Sequence, residues 1–296
     1  MSMSSHAIRV LSPAKLNLCL EIKGLRPDGY HELDMLNVGI ELCDAVEVSV
    51  GGEDIRIECD DPAVPRDRGN LCRQAAEAFF RAFPETRTGL NIKIEKRIPV
   101  AGGLGGGSSN AAAVLFALKA LTGTEVGGAE LIRLGATVGA DVPFFLFRSP
   151  AWARGIGEEL EDGPALPDYT FLVAPQTFGV STKWAFSQYD LTKHPDNLKC
   201  SRNRGMAPAG WKLFNALEPI VAAAHPEVAK TKDVLLDLGA IGALMTGSGP
   251  TVFAVFDGRE SAEKARDAAA RELGRAVLLC RAVQGPLLRE VFHNQE

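Results

Sequence analysis

Apolar and polar residues alternate with period two over residues 14–24 (AKLNLCLEIKG). Ala14, Leu16, Leu18, Leu20 and Ile22 fall on one face, and Lys15, Asn17, Cys19, Glu21 and Lys23 on the other. That pattern predicts a strand with one buried face. Pro27-Asp28-Gly29 supplies turn chemistry after it. Further strands are predicted at 33–41, 45–50, 55–59 and 90–94. A helix is predicted over about 70–82, with Asn70 as its N-cap.

Residues 109–121 predict a second helix, with Gly123 as its stop. Ala111, Ala112, Ala113, Val114, Leu115, Phe116, Ala117 and Leu118 leave it almost no polar face, so it is expected in the interior. A helix at 128–138 follows. The acidic, Pro- and Gly-containing stretch 158–168 suggests a boundary between a domain of residues 1–160 and one of 161–296. In the second half the pattern predicts strands at 170–174, 241–246, 251–256 and 276–283, and helices at about 211–223, 226–238 and 259–273. The polar stretch 187–210 reads as an exposed loop or lid. Mixed strands and helices with hairpins in both halves make the class α+β.

Composition narrows the functions available. The 296 residues are 46% hydrophobic and 23% charged, with 32 Lys and Arg against 37 Asp and Glu for a net charge of −5. An acidic chain without a long basic run is a poor general binder of nucleic acid. No apolar stretch approaches the roughly 18 residues of a membrane span. The six cysteines form no C-x-x-C pair, and reduced, buried thiols are expected. A soluble, cytoplasmic protein is the reading.

The chemistry concentrates in PVAGGLGGGSSNAAAV, residues 99–114. Pro99, Val100 and Ala101 lead into Gly102, Gly103, Leu104, Gly105, Gly106 and Gly107, followed by Ser108 and Ser109 and the apolar helix. A strand, a glycine loop and a helix N-terminus aim backbone N–H groups at one point, which suits phosphate oxygens. No lysine follows Gly107, so this is not a Walker A loop, and the glycine spacing misses the dinucleotide fingerprint. Ser108 or Ser109 could reach a phosphate or Mg²⁺, or cap the helix. GADVPFF, residues 139–145, sets one acid, Asp141, among apolar neighbours. TGSGP, residues 246–250, places Gly247, Ser248 and Gly249 in a second tight turn.

Ser12-Pro13-Ala14-Lys15-Leu16-Asn17-Leu18, the glycine stretch, Gly139–Pro143 and Thr246–Pro250 occur in this order. Together they resemble the three-motif pattern of the GHMP kinase superfamily, over residues 10 to about 285. The resemblance implies two domains: a nucleotide-binding one with a left-handed βαβ-type unit, then a ferredoxin-like α+β one. It implies transfer of the ATP γ-phosphoryl group to an alcohol with Mg²⁺, the loop Pro99–Ser109 on the triphosphate, Asp141 as base and Lys15 as its partner. Lys15 and Asn17 leave the same strand face about 6–7 Å apart, so Asn17 could touch substrate.

Arg26-Pro27-Asp28-Gly29-Tyr30-His31-Glu32-Leu33 narrows the resemblance. It is similar to the branch that phosphorylates the 2-hydroxyl of a cytidine-diphosphate-linked methylerythritol for isoprenoid synthesis, with Tyr30 and His31 at the cytosine. Phe186, or Trp184, would supply the second aromatic wall, and Gly247, Ser248 and Gly249 would meet substrate. A mevalonate- or homoserine-kinase-like enzyme is the alternative, and a nucleotide-binding module without catalysis a third reading. A monomer or weak homodimer is expected; Mg²⁺ ligands are not identified by any motif.

Overall fold

A computed structural model describes residues 7–189 and 213–291. Two long antiparallel strands, β1 (Ala7–Leu25) and β2 (His31–Val50), form the backbone of the first half. The two strands predicted at 33–41 and 45–50 are therefore one, because an irregularity in register between Pro13 and Ala14 absorbs the break in alternation. β3 (Ile55–Cys59), α1 (Leu71–Ala82) and β4 (Leu90–Glu95) form a parallel β-α-β unit that joins the sheet through β4 and β2. Asn70 caps α1 as predicted, accepting from the Cys72 N–H at 2.8 Å.

The apolar helix α2 (Gly106–Thr122) is buried nearly all round and starts three residues before the predicted residue 109. It ends at Gly123, in the left-handed region at φ 64°. Helices α3 (Gly128–Ala136) and α4 (Val142–Leu146) pack beside it. A hairpin of β5 (Ala151–Gly155) and β6 (Glu159–Asp162) then pairs back onto β2. The stretch 158–168, where the boundary is expected, includes the edge strand β6, and its acidity is that of an exposed sheet edge.

The second half runs β7 (Tyr169–Ala174), α5 (Thr182–Ser187), β8 (Phe214–Asn215), α6 (Glu218–Ala224), α7 (Pro226–Asp237), β9 (Gly242–Met245), β10 (Val252–Asp257), α8 (Arg259–Leu273), β11 (Leu278–Val283) and β12 (Arg289–Val291). Its antiparallel strand order β11-β7-β10-β9 is that of a ferredoxin-like layer. β11 also pairs with β2, and β12 with β1, so the strands of both halves join in one sheet. The helix predicted at 211–223 is shorter. Phe214 and Asn215 pair with β1 instead, and α6 begins only at Glu218. The 187–210 loop, beyond Ser187–Tyr189, lies outside the described residues.

The central correction concerns β1. The alternation predicts one buried face, yet every residue from Ser12 to Leu20 is buried. Its apolar face enters the core. Its polar face, with Lys15 and Asn17, is covered by segments from three distant parts of the chain, and those segments build the site.

Candidate active site

The polar face of β1 floors a cleft of about 570 Å³ lined by Lys15, Asp141, the 99–108 loop, Phe186 and Gly247–Gly249. Lys15 is 4% exposed. Its Nζ lies 3.1 Å from Asp141 Oδ1 and donates to Asn17 Oδ1 at 3.1 Å. A buried ammonium is costly unless paired and hydrogen-bonded, and both conditions are met here. Asp141 stands at the N-cap position of α4 but caps nothing. Its carboxylate is spent on Lys15, with a side chain one-third exposed to the cleft.

Asn17 is fully buried. Its amide nitrogen donates to Asn37 Oδ1 at 2.7 Å, and its backbone N–H donates to Thr246 Oγ1 at 3.0 Å. These bonds aim the Asn17 carbonyl at Lys15. Asn17 thus stands behind the lysine and orients it. Sequence pattern alone does not mark Asn37 or Thr246 for this duty: Thr246 opens the TGSGP turn, whereas Asn37 carries no local signal.

The glycine loop is tethered to the same strand, since Lys15 N–H donates to Leu104 O at 2.9 Å. Among the described residues, the N–H groups of Gly103, Leu104 and Gly105 show no protein acceptor. With the free N–H groups of the first turn of α2, they form a concave set of donors. Two glycines are enforced by close approach. At Gly105 (φ 72°) a Cβ would stand 2.9 Å from Lys15 Cγ and 3.0 Å from Phe145 Cζ. At Gly103 (φ 76°) it would stand 2.5 Å from the Thr246 carbonyl oxygen. The two glycine turns therefore pack backbone to backbone. Ser108 lines the cleft, whereas Ser109 is fully buried and accepts from Ser12 Oγ at 2.8 Å.

Phe186 brings an aromatic ring to the cleft wall, while Tyr30 and His31 stand outside its lining. His31 faces Phe186 with ring centroids 5.3 Å apart, and Tyr189 edge-on at 6.2 Å. Burial lowers the His31 pKa from its ordinary value. Tyr30 is 61% exposed beside it. Trp184 instead turns edge-on to His225 at 6.0 Å, next to the Phe178–His225 stack. Ser248 Oγ shares a 2.8 Å hydrogen bond with Thr182 Oγ1 at the start of α5. Among the described residues, no helix is long and apolar enough to cross a membrane.

An anion cradle beside a buried lysine paired with a part-exposed aspartate can hold a triphosphate and take a proton from an alcohol. Residues 70–149 match the family described as GHMP kinases N terminal domain, and residues 202–276 match GHMP kinases C terminal. A 4-diphosphocytidyl-2-C-methyl-D-erythritol kinase from Syntrophotalea carbinolica is 43% identical over 87% of this chain and 92% of its own. One from Nostoc punctiforme is 40% identical over 86% and 88%. The crystal structure of a 4-(cytidine 5'-diphospho)-2C-methyl-D-erythritol kinase superposes with TM-score 0.76 at 35% identity, over 94% of this chain and all of that one. A homoserine kinase from Cytophaga hutchinsonii, TM-score 0.74 at 18% identity, shares the fold.

Proposed function

The chain belongs to the GHMP kinases, and we propose from that premise that it transfers the ATP γ-phosphoryl group to the 2-hydroxyl of 4-diphosphocytidyl-2-C-methyl-D-erythritol. The observation that carries the chemistry is the 3.1 Å contact between Lys15 and Asp141 at the floor of the cleft. The relatives at 40% identity and above carry the choice of acceptor.

Phosphoryl transfer asks for positioning and charge stabilisation. The Gly102–Gly107 amides and the α2 N-terminus hold the triphosphate. Asp141 accepts the proton of the acceptor hydroxyl. Lys15, held by Asn17, fixes the position of that carboxylate and presents positive charge to the phosphoryl group in flight. Phe186 and Tyr30 flank the cytosine, and His31 meets its polar edge. The division of labour puts ATP and catalysis on residues 1–160, with Phe186 and Gly247–Gly249 of residues 161–296 completing the acceptor side. The acceptor is a small molecule, and all of these residues come from one chain.

Mg²⁺ belongs to this proposal. Among the described residues no cluster of three or more His, Cys, Asp or Glu gathers to hold a metal. The ion would be held mainly by the triphosphate, with the Ser108 hydroxyl, which lines the cleft, as the chain's donor. Bound there, it would offset phosphate charge. The test is an ADP-release assay across an acceptor panel. ADP release with the cytidylylated acceptor alone supports the reading; release with mevalonate or homoserine alone overturns it.

A further inference from the structure

Well before β4, the strand that leads into the glycine loop, β2 carries a carboxylate with no exposure to solvent. Asp44 is 0% exposed. Its Oδ1 accepts from the Arg97 N–H at 2.7 Å and from the Ile98 N–H at 2.8 Å. Its Oδ2 is bonded to the Lys96 ammonium. These three residues are the last before Pro99, where the loop begins.

A buried carboxylate that loses its partners is strongly destabilising, so a fully satisfied one marks a place where the backbone is held in one arrangement. Here the arrangement held is the turn from β4 into the loop. Charge also matters. Lys96 lines the cleft, and a Cβ at Gly106 would stand 3.2 Å from its Nζ. The ammonium therefore sits at the N-terminus of α2, where positive charge repels the helix dipole and attracts phosphate. Asp44 holds it there against that repulsion.

We infer that Asp44 is a positioning residue for nucleotide binding. By gripping the amides of Arg97 and Ile98 it fixes the angle at which the glycine loop leaves β4, and so the alignment of the loop's free N–H donors. It touches neither substrate. The inference rests on reading the cleft as an ATP site, and it goes beyond that reading by separating two duties of one carboxylate.

The two duties are separated by two double variants that leave no buried charge unpaired. In Asp44→Asn/Lys96→Met the side-chain oxygen for the two amides is kept. In Asp44→Leu/Lys96→Met it is lost at similar volume. Mg-ATP affinity is measured by calorimetry with no acceptor present, and affinity for the cytidylylated acceptor is measured separately. The inference expects the Leu variant to bind Mg-ATP about tenfold or more weakly than the Asn variant, the scale of one lost buried hydrogen-bond set. Acceptor affinity should stay within about threefold in both, because the acceptor end does not touch this turn. Equal Mg-ATP affinity in the two variants overturns the inference, as does a parallel loss for both substrates, which marks a purely structural role. If the Leu variant does not fold, Asp44→Ser/Lys96→Met takes its place, since a short hydroxyl cannot bridge two amides. Failure of the parent chain to bind Mg-ATP would instead count against the reading of the cleft.

Discussion

Lys15 Nζ stands 3.1 Å from Asp141 Oδ1, across 126 residues of sequence, and the same ammonium donates to Asn17 Oδ1 at 3.1 Å. One lysine thus joins a strand to a helix end and leaves the carboxylate one-third exposed to the cleft.

Replacing Asp141 with Asn keeps the shape and removes the base. Turnover should fall by about 10²–10⁴. Mg-ATP affinity, read by calorimetry, should change by less than about threefold. Lost nucleotide affinity with the fold intact would make Asp141 a binding residue instead. Lys15→Met should lower kcat by about 10²-fold or more while moving either KM far less.

Gly105 and Gly123 stand at opposite ends of α2, both in the left-handed region. At Gly123 a Cβ meets open space, so Gly123→Ala should cost only about 1–2 kcal/mol of stability for the backbone conformation. Gly105→Ala adds a collision with Lys15 and Phe145. It should lower the melting temperature further and also lower kcat. Equal activity of the two variants would contradict a tight loop–lysine contact.

Phe186 faces His31, whereas Trp184 faces His225. Losing an aromatic wall against a base costs about 1–3 kcal/mol, so Phe186→Ala should raise acceptor KM by roughly tenfold and leave ATP KM unchanged. Trp184→Ala should act on melting temperature instead. Steady-state kinetics with each substrate varied in turn separate the two.

His31 gives a pH signature with a definite sign. Burial lowers its folded pKa below the ordinary 6.5, so just under pH 6.5 the unfolded chain binds a proton that the folded chain does not. Stability from this group is complete above 6.5 and is lost as pH falls through the folded value. Melting curves from pH 8 to 5 should show a smaller acid loss for His31→Gln than for the parent. An identical loss would mean that His31 titrates alike in both states.

Local rules explain what was legible. Asn70 and Gly123 punctuate helices through single hydrogen bonds and one backbone conformation, which neighbours in sequence determine. The glycine turns show for the same reason. Burial of Lys15 and Asn17 does not follow from alternation, because Leu104, Asp141 and Thr246 cover that face from far along the chain. Asn215 misled in the opposite way. It lies in a stretch with helical spacing, yet its side chain donates to the carbonyls of Met245 and Gly247 at 2.7 and 2.8 Å. That draws the segment into a pairing with β1. Asp44 looks like an ordinary strand acid until β4 is laid beside it.

Phosphorus NMR of one reaction tests the central claim most directly. The chain is incubated with Mg-ATP and 4-diphosphocytidyl-2-C-methyl-D-erythritol, and the products are read as spectra. The account predicts ADP and a new phosphate monoester on the 2-hydroxyl, formed by the parent and absent with Asp141→Asn. ADP with inorganic phosphate alone, or a monoester formed equally by Asp141→Asn, would contradict it.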